Sequence, residues 1–88
     1  MRYKKGTFAK SLAGHDKDEV YLIVKSDNKY IYLANGKNRT LENPKRKKLK
    51  HVQWIGTVNT EIALKIENAE KISSCEIKRA IQLVLGGM

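Results

Sequence analysis

Two short stretches of this chain carry the side chains that could do chemistry. The first is Lys45-Arg46-Lys47-Lys48-Leu49-Lys50-His51, five cations in six positions followed by a histidine. The second is Gly14-His15-Asp16-Lys17, a glycine beside an imidazole, a carboxylate and an ammonium. Fixed ammonium and guanidinium groups in a run attract polyanions, because each neutralised phosphate releases condensed counterions to solvent. A glycine lets the backbone come close to a phosphate, and neighbouring His and Lys side chains can add donors there. The charge is also unevenly placed. Fourteen of the eighteen Lys and Arg residues lie in the first 51 positions against five acids, a formal +9, whereas residues 52–88 balance four against four. The sequence therefore reads as a nucleic-acid binder whose contacts are carried by its first half.

Catalytic readings have little support. The two histidines are His15 and His51, and the single cysteine, Cys75, allows neither a CxxC zinc site nor an internal disulfide. Ser11, His15 and Asp16 are close in sequence, but loop neighbours do not make a triad without geometry. Asp16, Asp18 and Glu19 lack the ligand spacing of an EF-hand loop. No catalytic residue, metal or cofactor is expected. One unpaired cysteine fits a reducing, cytoplasmic compartment. No apolar run approaches the roughly 18 residues of a membrane span, and no apolar segment follows the basic N-terminus as in a secretory signal.

The elements that must position these residues follow from periodicity. Phe8–Leu12 reads as a short strand. Val20-Tyr21-Leu22-Ile23-Val24 is continuously apolar and β-branched or aromatic, the pattern of a central strand. A turn at 26–29 leads to a return strand, Tyr30-Ile31-Tyr32-Leu33, with both tyrosines on one face. Asn35-Gly36 is a strong type I′ hairpin signal, with a weak polar strand expected over 38–41. Pro44 argues against a regular ladder at the start of the basic run. Leu49–Ile55 can form a last strand with Trp54 in the core. Beyond Gly56, residues 61–68 have helical spacing. Ser73-Ser74-Cys75-Glu76 fits a capping box, and Ile77, Ala80, Ile81 and Val84 then form a helical stripe that Gly86 closes as a C′ glycine.

The expectation is one α+β domain over 1–88: a small β-barrel of about five strands over residues 6–55, then one or two helices over 60–86. Closing the sheet hides its edges, which is how so small a domain avoids edge-to-edge association.

Gly6-Thr7-Phe8-Ala9-Lys10-Ser11-Leu12-Ala13-Gly14-His15-Asp16-Lys17, followed by Val20-Tyr21-Leu22-Ile23-Val24, resembles a KOW motif. That motif is a strand, a loop with a central glycine and a second strand within an SH3-like barrel. Leu33-Ala34-Asn35-Gly36-Lys37 and the proline-led basic run extend the likeness to small bacterial KOW-domain RNA-binding proteins, which are similar to large-subunit ribosomal proteins of eukaryotes and archaea. The chain departs from many KOW loops in having Asp18 where they have glycine. The resemblance implies an SH3-like barrel, RNA binding, a ribosomal RNA partner or ribosomal proteins, and no catalysis.

The expected RNA-binding residues are Lys4, Lys5, Lys10, Gly14, His15, Lys17, Lys45, Arg46, Lys47, Lys48 and Lys50, on a chain that is a monomer when free. Other readings stay open at each place. Gly14 also suits a simple turn, His15 could bond locally to Asp16, and Tyr30 and Tyr32 could stack on bases or pack in the core. The basic run could be a solvated face, expected to tolerate substitution without loss of fold. The barrel could instead be a protein-docking module on the ribosomal or transcription machinery, or could bind DNA.

Overall fold

A computed structural model describes residues 6–86. Its five strands are β1 (Phe8–Ser11), β2 (Val20–Ser26), β3 (Tyr30–Ala34), β4 (Lys45–Lys48) and β5 (Val52–Ile55), all in one antiparallel sheet of order β4-β3-β2-β1-β5. The continuously apolar β2 is the central strand, as its pattern requires, because a strand covered on both faces has no polar side to present. A 3₁₀ turn, Leu49–His51, joins β4 to β5, so the two edge strands of the sheet are consecutive in the chain. Two helices follow, α1 (Thr60–Glu67) and α2 (Ser74–Gly86). Among the described residues no helix is long and apolar enough to cross a membrane.

The core divides between the two faces of the sheet. Phe8, Val20, Leu22 and Ala34 pack with Ile62 of α1 and with Ile77, Ala80, Ile81 and Val84 of α2. Ala9, Tyr21, Ile23, Ile31, Leu33 and Val52 form the second cluster, with Leu49 packed on it. The α2 stripe is buried at every expected position. Its N-terminus is the expected capping box: Ser73 Oγ accepts from the Glu76 amide at 3.2 Å. Lys65 of α1 donates to the Glu76 carboxylate at 2.6 Å, which fastens the helices to each other. That bond and the Ser73 amide hold the Glu76 carboxyl below its ordinary range.

Several local expectations are overturned. Asn35-Gly36 does not form a type I′ turn, because only Gly36 has positive φ, at 76°. The Asn35 side-chain carbonyl instead accepts from the Lys37 and Arg39 amides at 2.8 and 3.0 Å, which organises a longer loop. Gly36 is required for close approach: a Cβ there would lie 2.5 Å from the Ser74 carbonyl oxygen at the start of α2. No strand forms over 38–41. Pro44 does not disrupt the ladder, since β4 begins one residue after it and pairs with β3 alone, at an edge where proline is tolerated. Trp54 is not in the core. It stands on edge strand β5, 40% exposed, with Nε1 donating to Thr7 Oγ1 at 2.9 Å. Gly86 is the last helical residue of α2 and not the residue beyond it.

Among the described residues, two without glycine's freedom sit in the left-handed region, Asp18 (φ 74°) and Ala69 (φ 55°). Asp18 thus takes, in the β1–β2 loop, a backbone conformation that glycine adopts most readily. Ala69 is the C′ residue of α1. Its amide bonds Ile66 O at 3.2 Å and the next amide, Glu70, bonds Lys65 O at 2.8 Å, the two hydrogen bonds of a Schellman motif.

Two stability predictions follow from this packing. Replacing Ile77, which is 1% exposed, by Ala should cost about 2–4 kcal/mol in urea unfolding. A loss below about 1 kcal/mol would mean that α2 is not part of the core. Ala69→Gly should raise stability by about 0.5–1 kcal/mol, because relief of left-handed strain outweighs glycine's larger unfolded-state entropy. A drop in stability would place the strain elsewhere.

Candidate nucleic-acid interface

The basic run does two different jobs, and strand alternation divides them. In the β3–β4 ladder Lys45 faces Leu33 and Lys47 faces Ile31, while Arg46 faces Tyr32 and Lys48 faces Tyr30. Side chains directly opposite each other share a face. Lys45 and Lys47 therefore lie on the inner face with Ile31 and Leu33, and Arg46 and Lys48 point outward beside the two tyrosines.

The inner pair converges on one carboxylate. Asp16, 6% exposed, accepts from Lys47 Nζ at 2.7 Å, Lys45 Nζ at 2.8 Å, Tyr21 Oη at 2.8 Å and Ser11 Oγ at 2.9 Å. Lys47 Nζ also donates to the Ala13 carbonyl at 2.8 Å. Burial by itself pushes the Asp16 carboxyl up. The bonds from Lys45, Lys47, Tyr21 and Ser11 together outweigh it and hold the group far below the ordinary carboxylate range. Burial and the negative charge of Asp16 push the Tyr21 phenol well above its usual range.

This arrangement corrects two expectations. Lys47 is not a solvated phosphate contact, since its side chain is 10% exposed and bonded to Asp16; Lys45 is partly held in the same way. The fold is therefore not indifferent to losing Lys47. Asp16 bonds to the strands and not to His15. Among the described residues no buried side-chain polar atom lacks a hydrogen-bond partner.

The outer face carries open cations interleaved with aromatic rings. The Arg46 guanidinium carbon lies 4.5 Å from the Tyr30 ring centroid, and Lys25 Nζ lies 5.5 Å from that of Tyr32. Lys48 and Lys50 are exposed. A hollow of about 360 Å3 is lined by Lys29, Tyr30, Lys48, Leu49 and Lys50. Tyr32 packs partly against the helix-side core, whereas Tyr30 is half-buried at the rim of this hollow. The β2–β3 turn that presents Lys29 is fixed by Asp27, whose Oδ1 accepts from the Lys29 and Tyr30 amides at 2.9 and 2.8 Å. Those amides hold the Asp27 carboxyl below its ordinary range.

Lys25 and Lys29 were not among the residues expected from sequence. In sequence they are isolated lysines, and only the hairpin register brings them to the basic face. A bulge between Ile23 and Lys25 places Lys25 opposite Tyr32; without it, Lys25 would oppose buried Ile31.

Of the remaining expected residues, Lys10 lies on β1, and Gly14, His15 and Lys17 lie on the β1–β2 loop. Gly14 has φ 90°, and a Cβ built on it would sit 3.8 Å from Lys47 Nζ, so its loop covers the Asp16 cluster. His15 and Lys17 are exposed on the same loop, and Lys10 is 3.7 Å from Asp18. Lys4 and Lys5 lie outside the described residues. No known family model matches the chain, and no curated protein matches it.

The Asp16 cluster generates its own prediction. A carboxyl depressed in the folded state contributes stability that is present above its unfolded value, about 3.8, and is lost as pH falls toward the folded value. Asp16→Asn should cost about 3–5 kcal/mol near neutral pH, since it strands two cations. The variant should also lack part of the wild-type decline below pH ~4. Equal stability of the two proteins at pH 7 would show that Asp16 does not hold the fold.

Proposed function

We propose that this protein is a noncatalytic RNA-binding module of the KOW type, and that it grips the phosphate backbone with the outer face of β3 and β4. The observation that carries the reading is the sorting of the basic run: Arg46 and Lys48 remain outward and open after Asp16 has taken Lys45 and Lys47. Lys25, Lys29 and Lys50 add to the same surface. Such a surface, dense in cations and interleaved with tyrosines, suits a ligand with a charged backbone and flat bases. Ribosomal RNA is the partner that the KOW resemblance implies, with ribosomal proteins beside it. Lys10, His15 and Lys17, at the Gly14 loop, would form a second and smaller contact.

The proposal includes an SH3-like barrel. Five strands laid flat put the sheet edges about 19 Å apart. The link from Lys48 to Val52 is four residue steps, which reach at most about 14 Å when fully extended, and much of it is a 3₁₀ turn. The sheet must therefore curl. Leu49 and Val52 sharing a cluster with Tyr21 and Ile31 supports that closure.

Salt dependence tests the reading. With four or five phosphate contacts, log K should fall against log salt with a slope of roughly −3 to −4.5. The double variant Arg46→Ala, Lys48→Ala should flatten that slope by nearly one unit per lost contact and weaken binding to all RNAs alike, with an unchanged melting midpoint. Lys47→Ala should instead lower the melting midpoint. Unchanged affinity and slope in the double variant would remove the outer face from the binding site and favour a protein-docking module.

A further inference from the structure

Tyr30 and Tyr32 are two residues apart on one strand and share a face, which separates them by about 6.6 Å along β3. Successive bases along one strand of a duplex are only about 3.4 Å apart, with their faces hidden in the stack. A duplex cannot put neighbouring bases on both rings. A strand whose bases are pulled apart can. The two rings also differ in surroundings, and the difference matches the two parts of a nucleotide. Tyr30 borders the hollow of about 360 Å3 that holds Lys29, Lys48 and Lys50. Tyr32 borders a second cleft, of about 540 Å3, between the sheet and the end of α1. Its walls are largely apolar, with Val24, Leu41, Pro44 and Ile66 among them, and its charged lining residues are one lysine, Lys25, and one acid, Glu70. Three lysines suit a phosphate. A cleft with apolar walls and a carboxylate repels a phosphate, but accepts a base and leaves Glu70 as an acceptor for base N–H groups.

Resting on the RNA-binding reading above, we infer that the outer face takes single-stranded RNA. The strand runs along β3, with one base on the Tyr30–Arg46 stack, its phosphate in the adjoining lysine hollow, and the next, unstacked base in the apolar cleft beside Tyr32. Arg46 over Tyr30 extends the stacking surface, because a guanidinium plane stacks on bases as an aromatic ring does. Lys25 over Tyr32 stands where the backbone leaves the cleft.

The test compares a mixed-sequence single-stranded 12-mer RNA with the blunt duplex of the same strand, by anisotropy over a salt series on the full chain. The single strand should bind at least about tenfold more tightly. Tyr30→Ala should weaken it roughly 5- to 150-fold, the range for losing one stacked base, with the salt slope unchanged because no phosphate contact is lost. Tyr30→Phe should retain the affinity. Ultraviolet crosslinking of the wild-type protein, which does not depend on how a variant folds, should mark the peptide 30–37. The inference is overturned if the duplex binds as well as the single strand, if Tyr30→Ala binds like wild type, or if crosslinks avoid 30–37. A steep salt slope in those cases leaves the phosphate-binding reading standing. Absence of salt-dependent binding to either RNA overturns both.

Discussion

One buried carboxylate ties the β1–β2 loop to edge strand β4, which pairs with neither β1 nor β2. Asp16 sits in the loop between β1 and β2, yet its bonds run to Ser11 at the end of β1, to Tyr21 in β2, and to Lys45 and Lys47 in β4. β4 is an edge strand, short and built wholly of cations, paired with β3 alone. Without an internal anion its inward lysines would face Ile31 and Leu33 with no opposite charge to pair with, a costly arrangement for an ammonium in apolar surroundings. With Asp16 in place the lysine stems run along apolar surface and their heads are satisfied. The same contact fixes which residues of β4 face out, because a one-residue slip would exchange Lys45 and Lys47 for Arg46 and Lys48. The position of the outward cations thus depends on a group on the opposite face of the sheet.

Much of the architecture was legible because the signals were local and agreed with one another. The β2 run, the α2 stripe and the Ser73 capping box each draw on a few neighbouring residues, and each forms where expected. The failures involve competition with distant groups. Asn35-Gly36 carries a hairpin signal, but Gly36 serves the approach of the loop to α2, and the Asn35 side chain ties down the loop instead. Trp54 looked like core because it is large and lies in a strand, but its strand is at the edge. Pro44 suppresses a ladder only in a strand paired on both sides, and which strands are edges is a matter of topology that local sequence does not carry.

The candidate site was half legible for the same reason. The basic run is visible as composition, but its division into inward and outward cations requires the β3–β4 register and the Asp16 partner 29 and 31 residues away. Lys25 joins the outer face only through a bulge that no residue type near it announces. A period-two reading of 45–48 could have separated the two sets without a structure. It would not have said which set faces inward, since all four residues are cations.

Cations on an edge strand have a purely defensive use, since they discourage pairing with another sheet. Defence accounts for Lys45–Lys48 as a group, but not for the particulars of the outer face. An edge protected by charge needs only exposure. It does not need a guanidinium laid over a tyrosine ring, nor cations from outside the edge strand such as Lys25 of β2 and Lys29 of the β2–β3 turn. Nor does it need Asp27 to fix the turn that carries Lys29. These features gather cations from three segments around two rings on one surface. A repulsive edge would spread them along one strand. The concentration costs mutual repulsion in the free protein, which Asp16 relieves only on the inner side. On the outer side the repulsion remains, and a polyanion is the ligand class that would remove it.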